Sequence, residues 1–161
     1  MNPSQIVRQP HDETPKTTGQ HGRAATRLAR QIELSLLTAG LSVSQYRFLA
    51  CLDEGTAEPS AMADRLVVTR PSVTAVADVL VTRGLVERQH ADDDDRRRVT
   101  HTLTPAGSEI LAAADAAVED RLDRILSYLA DDSERGRTLD SLDLWRRALD
   151  EDRAARRAGR A

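Results

Sequence analysis

Aromatic residues are scarce: two tyrosines, one tryptophan and one phenylalanine (Tyr46, Tyr128, Trp145 and Phe48) in 161 residues. A core with so few rings must be built from Leu, Val, Ile and Ala, which favours helices packed closely on small residues. Cysteine occurs once, as Cys51, so an internal disulfide framework is excluded and a reducing compartment is expected. No apolar run approaches the roughly 20 residues that a membrane-spanning helix needs. Residues 1–20 hold no apolar segment of a signal peptide. Recognisable catalytic patterns are also missing: no serine in a nucleophile elbow, no glycine-rich phosphate loop, no metal-spaced His/Cys pattern. These absences predict a cytoplasmic protein that is not an enzyme, with no cofactor, no metal and no membrane partner.

Lysine, too, is limited to Lys16; every other basic residue is arginine. Guanidinium forks suit phosphates and guanine edges, although GC-rich codon usage produces the same bias. The chain is 40% apolar and 30% charged with a net charge of −3, the composition of one soluble globular domain. The charge is unevenly placed. Residues 1–30 carry five positive and two negative groups, residues 60–103 balance, and residues 104–145 hold four arginines against ten acids. An acidic chain can still read nucleic acid when its basic groups are local.

Residues 1–19, with Pro3, Pro10 and Pro15, read as a disordered tail. Ala25, Leu28, Ala29, Ile32 and Leu36 then recur at helical spacing up to Gly40. Ser42 and Gln45 form a capping-box pattern for a second helix with Tyr46, Leu49, Ala50 and Leu52 inward. Pro59 opens a short third helix carrying Met62, Ala63 and Leu66. The turn Val67-Val68-Thr69 leads to a fourth, with Thr69 as N-cap, Pro71 in its first turn, and Val73, Val76, Ala77 and Leu80 inward. The period then changes to two, over Leu85 to Gln89 and over Val99 to Leu103, with Asp92-Asp93-Asp94-Asp95-Arg96-Arg97-Arg98 between: a hairpin with a charged loop. Thr104-Pro105 opens a long helix with Ile110, Leu111, Ala114, Val118, Leu122, Ile125 and Leu129 apolar. Asp131-Asp132-Ser133 recaps the chain into a last helix bearing Leu139, Leu142, Trp145 and Leu149, which fades into an Ala/Arg tail.

Two short helices joined by a three-residue turn make a helix-turn-helix, and the hairpin that follows makes it winged. The outward face of the fourth helix carries Arg70, Ser72, Thr74, Ala75 and Asp78, small or polar groups compatible with close approach to a major groove. The stretch Met62 to Thr74, the stretch Leu80 to Arg88, Asp95-Arg96-Arg97, and Leu103-Thr104-Pro105-Ala106-Gly107 together resemble the MarR family, in the family's order and spacing over about residues 41–110.

That resemblance implies an α+β fold, mostly α: a winged helix-turn-helix lobe (41–104) flanked by dimerisation helices (20–40 and 105–155). It implies a homodimer on duplex DNA, at a pseudo-palindromic operator, contacted by Thr69, Arg70, Ser72, Thr74 and Ala75 and, in the wing, by Asp95, Arg96 and Arg97. Asp95 would orient Arg97 towards the minor groove. It further implies repression relieved by a small phenolic or anionic effector. Asp92 to Asp94 depart from the pattern and place acids near phosphates. Consecutive acids lack EF-hand spacing, so they do not read as a metal site. Cys51 reads as a core residue, and His101 as a partly buried strand residue. The competing expectation is a winged-helix protein-interaction module without DNA binding, favoured by the zero net charge of residues 60–103.

Overall fold

The computed structural model describes residues 19–90 and 99–159. The expected tail up to residue 18 and the wing tip, with Asp92 to Asp95 and Arg96 to Arg98, lie outside the described residues. Six helices and one hairpin follow in the order α1 (Gln20–Thr38), α2 (Val43–Asp53), α3 (Pro59–Leu66), α4 (Arg70–Thr82), β1 (Val86–His90), β2 (Val99–Leu103), α5 (Pro105–Leu126) and α6 (Asp132–Ala158). The two strands pair antiparallel, with Val86 opposite Leu103 and His90 opposite Val99. The fold is the mostly helical winged helix-turn-helix that the sequence pattern predicts.

Local chemistry sets the boundaries. The Ser42 hydroxyl accepts from the Gln45 N–H at 3.2 Å, and the Gln45 side chain accepts from the Ser42 N–H at 3.0 Å, so two N–H groups that α2 leaves without helical partners are satisfied reciprocally. Asp131 caps α6 by accepting from the Glu134 N–H at 2.7 Å. Gly40, Gly55 and Gly84 follow α1, α2 and α4 with positive φ, the left-handed turn that glycine enters without a Cβ clash.

One apolar core gathers residues from every element except α6, among them Leu36, Phe48, Leu49, Met62, Leu80, Val86, Leu111 and Ala114. Phe48 is completely buried. The stripe expected to face inward omits Phe48 and includes Tyr46 and Leu52, which are only half-buried. α2 is wedged between α3, α4 and α5, so it buries more of its circumference than one stripe. Strand β1 begins one residue later than its pattern suggests, α5 stops at Leu126 before Leu129, and the last helix continues to Ala158 instead of fading. The continuation has a local cause: the pairs Arg153–Asp150 and Arg156–Asp152 are spaced one helical turn apart.

The junction of wing and α5 is close-packed. The Thr104 hydroxyl donates to the Gly84 carbonyl at 2.8 Å while accepting from the Gly107 N–H at 3.0 Å. The Thr104 N–H donates to the Leu85 carbonyl at 3.2 Å. A Cβ at Gly107 would overlap that same carbonyl. Because the obstacle is backbone, it cannot rotate away. Gly107→Ala is therefore expected to destabilise the protein by about 1–3 kcal/mol, read as a lower urea midpoint. An unchanged midpoint would show that α5 shifts freely at its start.

Candidate nucleic-acid interface

The helix-turn-helix is α3, the turn Val67-Val68-Thr69, and α4. Val67 ends α3 at φ 57°, a left-handed conformation that is uncommon for a β-branched residue and stores strain at the turn. Two contacts hold it there. The Val68 N–H donates to the Ala63 carbonyl at 3.0 Å, and the Arg47 guanidinium donates to the Leu66 carbonyl at 2.9 Å. Thr69 then caps α4, accepting from the Ser72 N–H at 3.3 Å, with the Thr69 and Ser72 hydroxyls 2.8 Å apart. The Thr74 hydroxyl donates to the Arg70 carbonyl at 3.2 Å.

The two faces of α4 differ sharply. Val73, Ala77 and Leu80 are at most 1% exposed. Thr69, Arg70, Ser72, Thr74 and Ala75 are all exposed or half-exposed, so five of the eight expected site residues share one open surface. The other three, Asp95, Arg96 and Arg97, lie outside the described residues. Asp78 is on the open face as expected, but it is ion-paired with Arg88 of β1. Sequence reasoning did not single out Arg88. The pair spans a helix and a strand, and no periodicity encodes that distance.

His101 is more deeply placed than expected, at 4% exposure. The hairpin lies against the α2–α3 loop, where the His101 backbone N–H donates to the Ala57 carbonyl at 3.1 Å. Its ring meets Phe48 edge-on, with centroids 5.6 Å apart at 82°, and neither ring nitrogen has a hydrogen-bond partner among the described residues. Burial first, and the nearby Arg88 charge second, hold its pKa below the ordinary 6.5; the Ala57 carbonyl and Asp78 oppose this without reversing it. The Tyr46 hydroxyl donates to Asp115 at 2.7 Å, joining α2 to α5; burial and then that carboxylate raise its pKa to about 12. Cys51 is buried, as the sequence suggests. Burial raises its pKa despite Arg65, Arg47 and Arg153 nearby, so the group is an uncharged thiol and a poor nucleophile. Among the described residues no His, Cys, Asp or Glu cluster could hold a metal ion, and no helix is long and apolar enough to cross a membrane.

The His101 environment has a signed consequence. The unfolded chain takes up a proton near pH 6.5 while the buried ring resists it, so this residue's stabilising contribution is complete above about pH 6.5 and is lost as pH falls below it. In urea titrations, His101→Leu is expected to lose less stability than the parent between pH 7 and pH 5. Equal losses would remove His101 as the cause.

Comparison with known proteins agrees with this architecture. The sequence pattern of the MarR family matches residues 39–98. An uncharacterised helix-turn-helix transcriptional regulator of Mycobacterium leprae is 34% identical over 110 residues, covering 67% of this chain and 76% of that protein. A counterpart in Mycobacterium bovis is 33% identical over 129 residues, covering 80% and 89%. Among solved structures, the YusO protein of Bacillus subtilis superposes with a TM-score of 0.64 at 24% identity, over 78% of this chain and 89% of that one. NadR in complex with 4-hydroxyphenylacetate gives 0.62 at 24% identity over 88% and 98%. A mutant of S. aureus MepR bound to an oligodeoxyribonucleotide gives 0.59 at 18% over 80% and 94%. With two-strand wing, helix-turn-helix and sequence relatives in agreement, the chain belongs to the MarR family of transcriptional regulators.

Proposed function

We propose that the protein is a cytoplasmic homodimer that binds duplex DNA at a pseudo-palindromic operator and represses transcription until a small phenolic or anionic effector binds. The observation that carries this reading is the two-faced α4. Its inner face is anchored in the core, while Arg70, Ser72, Thr74 and Ala75 are presented together on its exposed face, with Val79 one turn beyond Ala75. That is the arrangement needed to lie in a major groove about 12 Å wide. Thr69 and the α4 N-terminus would meet phosphate, and Asp95, Arg96 and Arg97 would extend the contact from the wing, Arg97 into the minor groove.

The dimer would use residues 20–40 and 105–155. Leu34, Leu37, Tyr128, Leu139, Leu142, Trp145 and Leu149 are exposed, Trp145 at 65%, more apolar surface than a lone chain leaves in water without a partner. Leu122, within the expected dimerisation segment 105–155, is packed against the core of its own chain. A second copy related by a two-fold axis would cover the same stripe on both protomers. That relatives in fold bind an oligodeoxyribonucleotide and 4-hydroxyphenylacetate supports both partners here. An effector would act by binding a DNA-incompatible arrangement of the dimer more tightly, at the joint between the lobe and the dimer helices, which Tyr46–Asp115 bridges, next to the Gln31–Arg121 contact that ties α1 to α5.

Two measurements test the reading. Thr74→Glu is expected to abolish binding to duplexes selected from a random pool and to leave thermal stability nearly unchanged, whereas Leu80→Ala should cost about 2–5 kcal/mol of stability. A Thr74→Glu protein that unfolds, or that retains full affinity, contradicts the assignment of faces. In sedimentation the intact chain should be a dimer at micromolar concentration; a stable folded monomer would overturn the dimer.

A further inference from the structure

The last helix does more than present an apolar stripe. At about 1.5 Å per residue, the 27 residues of α6 outrun the 22 of α5, so α6 returns from the reversal at Leu129–Asp131 to the level of the lobe. Arg153, Arg156 and Arg157, at i, i+3 and i+4, share one face there. With Asp64, Val67 and Thr69 they line a solvent-open cleft of about 230 Å³. Arg153 and Arg157 also line an adjoining cleft of about 290 Å³ with Arg65 and Glu58. Four guanidiniums thus converge on the helix-turn-helix and face two carboxylates, Asp64 and Glu58. Thr69, the N-cap of α4, stands in the same cleft as the arginines.

We propose that the C-terminal end of α6 is a second phosphate-contacting arm of the DNA-binding surface, with Arg156 and Arg157 gripping the backbone that flanks the groove entered by α4. The proposal rests on the DNA-binding reading above and adds residues that no helix-turn-helix pattern contains. Its chemistry is that of a polyanion. Arg156 and Arg157 each lie one helical turn from Arg153, with Cβ atoms about 5–6 Å from its own, and their long side chains can reach neighbouring phosphates of one strand. Arg156 is paired with Asp152 at 2.7 Å, and both side chains are about half exposed (46% and 58%), so the pair is exchangeable for a phosphate. The shared wall with Thr69 sets the occupant: a duplex held by α4 brings its backbone to the cleft without further movement. The arm meets the backbone outside the groove and not the base edges, so it raises affinity and leaves sequence preference alone.

The test uses the full-length protein and a duplex selected from a random pool, with affinity measured from 50 to 300 mM salt. Arg156→Ala/Arg157→Ala is expected to weaken binding and to lower the slope of log K against log salt by about 0.9 for every phosphate that is no longer neutralised. The sequence selected and the thermal midpoint should not change, and Arg156→Lys/Arg157→Lys should retain most of the slope. Trimming the duplex ends to the core site should weaken the parent and leave the alanine variant unaffected. Equal affinity and slope for parent and alanine variant overturn the arm while leaving DNA binding by α4 intact. Dissociation of the variant into monomers overturns it in favour of a contact with the second copy. A parent protein that retains no duplex at 50 mM salt overturns both the arm and the DNA-binding reading.

Discussion

The outer face of α4 is usable because its inner face is not free to move. Val73, Ala77 and Leu80 are at most 1% exposed and sit in a core that also holds Phe48, Met62 and Leu66. Each large-to-small loss in such a core costs about 2–5 kcal/mol, a large share of the roughly 5–15 kcal/mol by which a domain is stable. The anchoring therefore fixes the rotation of α4 about its axis, and that rotation decides that Arg70, Ser72, Thr74 and Ala75 face outward together. Pro71 and the Thr69 cap fix where the helix starts, so the position along the axis is determined as well.

The wing is held to this anchored helix by polar contacts. Arg88 reaches Asp78, the His101 N–H reaches the Ala57 carbonyl, and Thr104 reaches both Gly84 and Gly107. Each is a modest contribution in free energy. Together they join β1, β2 and the start of α5 to the helix-turn-helix. A movement of α5 would therefore be transmitted to the wing and to α4 as one body. The Tyr46–Asp115 hydrogen bond gives a second connection between α2 and α5.

Charge is managed by placement. A chain with a net charge of −3 can approach a polyanion only if its acids are elsewhere or paired. The acid-rich stretch 104–145 belongs to α5 and the first half of α6. In the lobe, Asp78 is paired with Arg88 and Glu54 with Arg65. The return of α6 brings arginines distant in sequence to the helix-turn-helix.

Element order, helix caps, the turn and the inner face of α4 were legible in the sequence because they are encoded locally. A cap needs a hydroxyl three residues before an N–H, and an amphipathic helix needs apolar groups at 3.6-residue spacing. The exposed set Thr69, Arg70, Ser72, Thr74 and Ala75 follows from that spacing alone. Tertiary structure decided the rest. Phe48 is buried because α2 is covered on several sides, which one stripe does not reveal. The Asp78–Arg88 pair depends on how the hairpin folds against α4. The burial of His101 depends on the α2–α3 loop lying over β2. The meeting of Arg153, Arg156 and Arg157 with Thr69 depends on the unequal lengths of α5 and α6 across a reversal of the chain. Such contacts join residues far apart in the chain, and a periodicity read along it holds no information about the angle at which two elements meet.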